Sequence, residues 1–160
     1  MGEEIVLVIS DQPGAGILEK AERAGIPWVV EKGGRDLCER ILAHLEGVDL
    51  ICLAGFMRLV KEPLLSAFSD RILNIHPSLL PKYPGLRAWE QAIVGGATES
   101  GCTVHYVDAG MDTGKVILQA HVPVLPNDTP ESLHARIQVE EHRIYPLAVR
   151  KCLSIIANGE

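Results

Sequence analysis

The sequence lacks any long apolar stretch. It opens on the acidic Met1-Gly2-Glu3-Glu4, and the apolar run at residues 5–9 is short, which fits neither a signal peptide nor a membrane span. It also lacks any run of Lys or Arg, and the formal net charge of the 160 residues is −6. A surface that tracks nucleic-acid phosphates therefore has little support, whereas an anionic small molecule needs only a few placed cations in a cleft. Cysteine is scarce. The four, at positions 38, 52, 102 and 152, show neither C-x-x-C spacing nor the density of a disulfide scaffold, and they read as reduced thiols of a cytoplasmic protein, mostly filling the core. Repeats, low-complexity segments and linkers are missing too. With 47% hydrophobic and 22% charged residues, the chain has an ordinary globular composition, and residues 1–160 are expected to form a single domain.

What is present is an alternation of strand and helix patterns. Residues 5–9, IVLVI, form a β-branched and aliphatic run of the kind buried on both faces of a sheet. Ile17, Leu18, Ala21 and Ala24 recur at helical spacing, stopped by Gly25 and Pro27. A short strand at 28–30, an amphipathic helix marked by Leu37, Ile41, Leu42 and Leu45, and strands at 49–54 and 71–75 follow. Such alternation predicts an α/β domain with a parallel core. Later the rhythm changes: residues 102–107 and 116–124 are strands separated only by a loop, which predicts an antiparallel pair and hence a mixed sheet. Thr129-Pro130-Glu131-Ser132 opens a last helix with a capping Thr and a Pro at the first helical position. That helix runs towards Asn158, with a bend expected near Pro146.

The unusual stretch is residues 73–85, LNIHPSLLPKYPG, which leaves a strand through three prolines and a glycine. In open α/β sheets ligands bind beyond the carboxyl ends of parallel strands. Asn74 and His76 are two apart, so in an extended chain they share a side, and an amide and an imidazole there can reach one oxygen, as stabilising a tetrahedral oxyanion requires. Taken singly, a His at a strand end is more often structural than catalytic, and an Asn before a loop is usually a turn former. Gly14-Ala15-Gly16 makes only a weak dinucleotide fingerprint, because Glu19 stands at the third glycine position. His105 and His121 have no third ligand at metal spacing, so no metal is expected. His44 and His134 read as surface residues on helices, and Lys82 and Arg87 as solvated charge.

Residues 73–85 resemble the signature segment of the folate-dependent formyltransferases, and the ending LPKYPG resembles the branch that acts on glycinamide ribonucleotide. Residues 53–59 (LAGFMRL), 101–107 (GCTVHYV), 112–119 (DTGKVILQ), 127–133 (NDTPESL) and 141–146 (EHRIYP) resemble further segments of that family in the same order. The resemblance implies a Rossmann-like formyltransferase fold: an α/β domain with a mixed, mostly parallel twisted sheet flanked by helices. It implies transfer of a formyl group from 10-formyltetrahydrofolate, as co-substrate, to the amine of glycinamide ribonucleotide in purine biosynthesis. Both partners are small molecules, with a homodimer possible and neither nucleic acid nor membrane involved.

By the same resemblance the catalytic trio falls on Asn74, His76 and Asp112. Asn74 and protonated His76 would stabilise the charge on the formyl oxygen, while Asp112 would hold His76 and favour its charged form. Folate binding falls on Arg35, Met57, Arg58, Leu59, Val60 and Asn74, and the nucleotide on Gln138 and Glu141. The Leu80-Pro81 bond is expected to be cis. One departure stands out. Residues 5–25 match the family's second strand and helix, so its first strand and phosphate loop have no counterpart and the fold reads as N-terminally truncated. That reading predicts retained folate binding, weak nucleotide affinity, and either a new partner for residues 5–10 or a dimer contact. A formyltetrahydrofolate hydrolase, or a folate-binding relative without activity, would share the same trio.

Overall fold

The computed structural model describes residues 4–159. They form two compact units. One comprises the chain up to Val48 together with Lys61–Ala67, and the other Asp49–Val60 together with Phe68 onward.

In the first unit, β1 (Val8–Ser10) pairs in parallel with β2 (Trp28–Val30), and α1 (Gly16–Arg23) connects them. Leu18 and Ala21 are its buried residues, and Gly25, at φ 70°, turns the chain where a side chain would be strained. The strand expected from Ile5 begins only at Val8, and Ile5 and Val6 are 64% and 50% exposed. The apolar run therefore overstated the burial, because β1 is hydrogen-bonded to a single neighbour. The helix expected at Leu37 is α2 (Leu37–Leu42). A short helix that periodicity does not announce, α3 (Leu64–Ala67), packs against it. Arg40 ties the loop before α2 together by pairing with Glu31 and Asp36 and donating to the Lys32 carbonyl.

The second unit is built on a four-stranded sheet in the order β3 (Ile51–Cys52), β4 (Ile72–His76), β5 (Glu99–Tyr106) and β6 (Val116–Pro123). β3 and β4 are parallel, and the β4–β5 and β5–β6 pairs are antiparallel. β3 is shorter than its sequence pattern, for the reason that shortens β1: it too has one partner strand. Cys52 on it is exposed, whereas Cys38, Cys102 and Cys152 are buried, and all four thiols are free. Burial pushes the Cys102 thiol up to about 12, so it behaves as an inert apolar side chain.

α4 (Ala88–Val94), which the sequence pattern does not mark, precedes β5, and α5 (Pro130–Ala157) closes the fold. α5 is one continuous helix through Pro146. Leu133, Ile137, Ile144, Ala148 and Cys152 are its buried residues, spaced by four, seven, four and four so that they share a face. Together with Cys102, Val104, Ala120 and Val122 they make the core. Side chains alternate along a strand. β5 therefore turns Ser100, Cys102 and Val104 one way and Thr103 and His105 the other, and all five are buried. The second set is polar. Among the described residues no helix is long and apolar enough to cross a membrane.

Candidate active site

β4 delivers Asn74 and His76 to one face of the sheet, opposite His105 and Thr103 of β5 in the cross-strand register. His76 is only 4% exposed, so both of its ring nitrogens need partners. Its Nε2 lies 2.8 Å from the Tyr83 carbonyl oxygen. A carbonyl can only accept, so Nε2 carries the proton and Nδ1 is left for the other side of the ring. There Asp112 Oδ2 stands 3.3 Å from Nδ1.

The segment after β4 is shaped to bring that carbonyl back. Leu80-Pro81 is a cis peptide bond, as the sequence predicts, and Glu62-Pro63 is a second. Tyr83, Gly85 and Arg87 all have left-handed φ, at 51°, 84° and 52°. Such a conformation costs a non-glycine residue on the order of 1–3 kcal/mol, and it is concentrated next to His76. Asp112 is left-handed as well, at 55°. Its loop, residues 108–114, leaves β5 and folds back over the polar face of the sheet. Asp108 Oδ1 shapes it by accepting from the Gly110 amide at 2.9 Å and the Thr113 hydroxyl at 2.8 Å. Gly114 permits the fold-back, since a Cβ there would lie 1.7 Å from the Tyr106 carbonyl oxygen. Asp112 Oδ2 also accepts the Gly85 amide at 2.9 Å, so the two irregular segments are fastened to each other through the carboxylate.

Sequence spacing did not single out His105 for this site. It is 2% exposed, and its Nδ1 donates to the Tyr106 carbonyl at 2.9 Å, which leaves Nε2 as an acceptor. The Asn74 amide Nδ2 donates to it at 3.3 Å, and Asp112 Oδ1 is 3.8 Å away. His105 thereby fixes which way round the Asn74 amide sits and leaves the second N–H of Nδ2 for another acceptor. Only cross-strand pairing brings His105 opposite Asn74. Among the described residues no group of three or more His, Cys, Asp or Glu could hold a metal ion.

The remaining predicted residues are distributed as follows. Met57, Arg58 and Leu59 are exposed in the loop after β3, and Val60 is buried. Because β3 and β4 are parallel, that loop and the one after His76 leave the same edge of the sheet. Arg35 is exposed beside Asp36, the cap of α2, in the smaller unit. On α5 Gln138 is exposed and Glu141 half-buried, with burial pushing the Glu141 carboxyl above the usual range. His44 and His134, expected as plain surface residues, both have partners. His44 Nε2 meets Glu31 Oε1 at 2.8 Å. The His134 ring lies flat on Trp89 with centroids 3.7 Å apart, and burial lowers its pKa. A cavity of about 300 Å³ near the amino end of β4 is lined by Asp70, Arg71, Tyr106 and Cys152 among others, and contains none of the predicted site residues.

An amide N–H and an imidazole nitrogen on one face, with a carboxylate beside the imidazole, are the parts that acyl transfer needs: donors for a developing oxyanion and a group that can handle a proton. The chain belongs to the formyl transferase family, whose model matches residues 1–149. It is similar to the Trifunctional purine biosynthetic protein adenosine-3 of Drosophila pseudoobscura pseudoobscura, with 48% identity over 163 residues that cover 98% of this chain and 12% of that protein. It is 40% identical to the Phosphoribosylglycinamide formyltransferase of Bacillus subtilis (strain 168), over 96% of this chain and 83% of that one. Among solved structures, glycinamide ribonucleotide transformylase 1 from Symbiobacterium toebii superimposes with a TM-score of 0.90 at 51% identity, covering 97% of this chain and 74% of that chain. The chain thus spans about an eighth of the length of the first of these relatives.

Proposed function

We propose that this chain transfers the formyl group of 10-formyltetrahydrofolate to the primary amine of glycinamide ribonucleotide, with Asn74, His76 and Asp112 as the reacting groups. The observation that carries the reading is the His76–Asp112 pair, 3.3 Å apart on the face that also presents the Asn74 amide. The amine nitrogen bonds to the formyl carbon, and the carbonyl electron pair moves onto oxygen. Asn74 Nδ2–H and protonated His76 Nδ1 donate to that oxygen, while Asp112 balances the imidazolium charge. The bond from carbon to the donor nitrogen then breaks, the carbonyl reforms, and the proton lost by the amine passes to the leaving nitrogen through water at Asp112. Tyr83 holds Nε2, so His76 acts at one nitrogen only.

The exposed apolar side chains of Met57 and Leu59 fit docking of the donor's ring system, and Arg58 and Val60 flank them with backbone groups. Gln138 and Glu141 on α5 are the proposed nucleotide contacts. A half-buried carboxyl pushed up by burial is suited to accept hydroxyl or amide N–H groups. The reading places the protein in the cytoplasm.

The test is turnover followed by folate absorbance, with 10-formyltetrahydrofolate present and glycinamide ribonucleotide present or omitted. Amine-dependent turnover is expected, and His76→Ala and Asn74→Ala should each lower it on the order of 10²–10³ while the melting temperature stays close to that of the unaltered chain. Turnover that ignores the amine, or variants that keep their rate, would defeat the proposal.

A further inference from the structure

The polar face of the sheet holds a second set of hydrogen bonds that touches none of the three reacting groups. His76 on β4, Thr103 on β5 and Gln119 on β6 are consecutive partners across the sheet, so their side chains form one row on one face. Thr103 is fully buried, and all three hydrogen-bonding positions of its hydroxyl are used. It donates to the Ser78 carbonyl at 2.7 Å and accepts from the Leu80 amide at 3.1 Å and the Gln119 Nε2 at 3.0 Å. The second proton of Gln119 Nε2 goes to the Leu80 carbonyl at 2.9 Å. Both backbone groups of Leu80 are therefore held by this pair of side chains. Downstream, the Ser78 hydroxyl donates to the Lys82 carbonyl at 2.5 Å. The next carbonyl, that of Tyr83, accepts from His76 Nε2, and the Gly85 amide reaches Asp112.

We propose that Gln119 is a positioning residue: acting with Thr103, it clamps residues 78–80 to the sheet and so sets the carbonyl that orients the His76 ring. The geometry gives this role a specific form. Gln119 reaches over from the far strand of the row and is itself exposed, so the core does not depend on it. Its amide binds the loop and the Thr103 hydroxyl together, and a thioether or alkyl chain of equal length leaves the Leu80 carbonyl without that partner. Thr103 makes the other two contacts to the loop, at the Ser78 carbonyl and the Leu80 amide. Freed at Leu80, the segment 80–85 drifts relative to β4, the Tyr83 carbonyl drops away from Nε2, and His76 loses its single orientation. Displacement of about 1 Å at a reacting group costs up to about 10² in rate.

This inference rests on the reaction proposed above, and its test separates the two. Gln119→Met and Thr103→Val are compared with Thr103→Ser, which keeps the hydroxyl. The first two should lower kcat about 10- to 100-fold with KM for formyl folate and for the ribonucleotide within about twofold, and Thr103→Ser should keep most of kcat. Independently of any activity, ¹⁵N NMR of the imidazoles should show the His76 Nε2 proton slow to exchange in the unaltered chain. In Gln119→Met that exchange should be at least 10-fold faster. If Gln119→Met leaves both kcat and that exchange unchanged, or lowers kcat only in step with a raised KM, the positioning role is overturned. If the unaltered chain has no transferase activity, the reaction falls, while the exchange measurement still decides whether Gln119 orients the ring.

Discussion

Glu141, one of the proposed nucleotide contacts, is a carboxyl that burial holds on α5 at some expense to the fold. It is half-buried on α5, and its carboxyl is pushed up chiefly by loss of water, with the nearby His142 pulling it slightly down. A folded-state pKa above the unfolded value means that this group contributes stability below the unfolded pKa and loses it as pH rises through the folded one. At neutral pH the charged form is therefore a burden on the free protein. Glu141→Gln is expected to melt roughly 1–3 °C higher than the unaltered chain at pH 7 and at the same temperature at pH 4. Calorimetric titration should show its affinity for glycinamide ribonucleotide lowered about 10-fold. A variant that melts lower at pH 7 would mean that the carboxylate has a stabilising partner. Asn74 and His76 stood out at this scale because they are two apart at the end of an apolar strand, whereas Asp112 entered only through the resemblance of residues 112–119. His105 was not, because a histidine in the middle of another strand carries no local sign of what it will face.

Elements are held by their ends as much as by their faces, and α5 is the example. Thr129 and Ser132 form a reciprocal cap at its first turn, each side chain bonded to the other's backbone N–H. Beneath it Asp128 is forked by Arg136 at 2.8 and 2.9 Å and also accepts from Ser132 and the Leu125 amide. Arg136 is the main reason, with Ser132 and Leu125 after it, that this carboxyl is held well below the usual range. Here the sign is opposite to that of Glu141. A depressed folded pKa contributes stability above the unfolded value and loses it as pH falls through the folded one. Asp128→Asn should therefore melt several degrees lower at pH 7, with the gap closing progressively below about pH 4, as thermal scans across that range would show. The sequence pattern located α5 and its cap because both depend on local residue order. It did not announce α3 and α4, whose few buried side chains face particular neighbours and leave no periodic stripe.

Across the whole molecule the two units differ in how much they bury. The larger has a long helix against the antiparallel part of a four-stranded sheet, and the residues buried between them include Leu133, Ile137, Val104 and Cys102. The smaller rests on a two-stranded sheet and short helices, with Leu18, Ala21, Leu37 and Cys38 among its buried residues. Two strands alone are marginal in water, and opening free energies follow local burial. Hydrogen exchange should accordingly be slowest in β5 and the middle of α5, and at least 10-fold faster in β1, β2 and α2. Equal protection in β1 and β5 would show that the smaller unit unfolds only with the larger.

The order of residues along the chain by itself determined the alternation of strands and helices, the antiparallel turn to the later strands, the cap of α5 and the Asn-x-His pair. Each of these is set by contacts within a few residues, where side-chain alternation, helical spacing and the stiffness of proline act directly. Tertiary structure alone decided that β1 and β3 are short, since the number of partner strands is a property of the assembled sheet. It also decided that His105 turns the Asn74 amide, that the Tyr83 carbonyl accepts the hydrogen bond of His76 Nε2, and that Gln119, 43 residues beyond His76, lies in the same row. Those relations depend on register between strands, and register comes from the packing of whole faces.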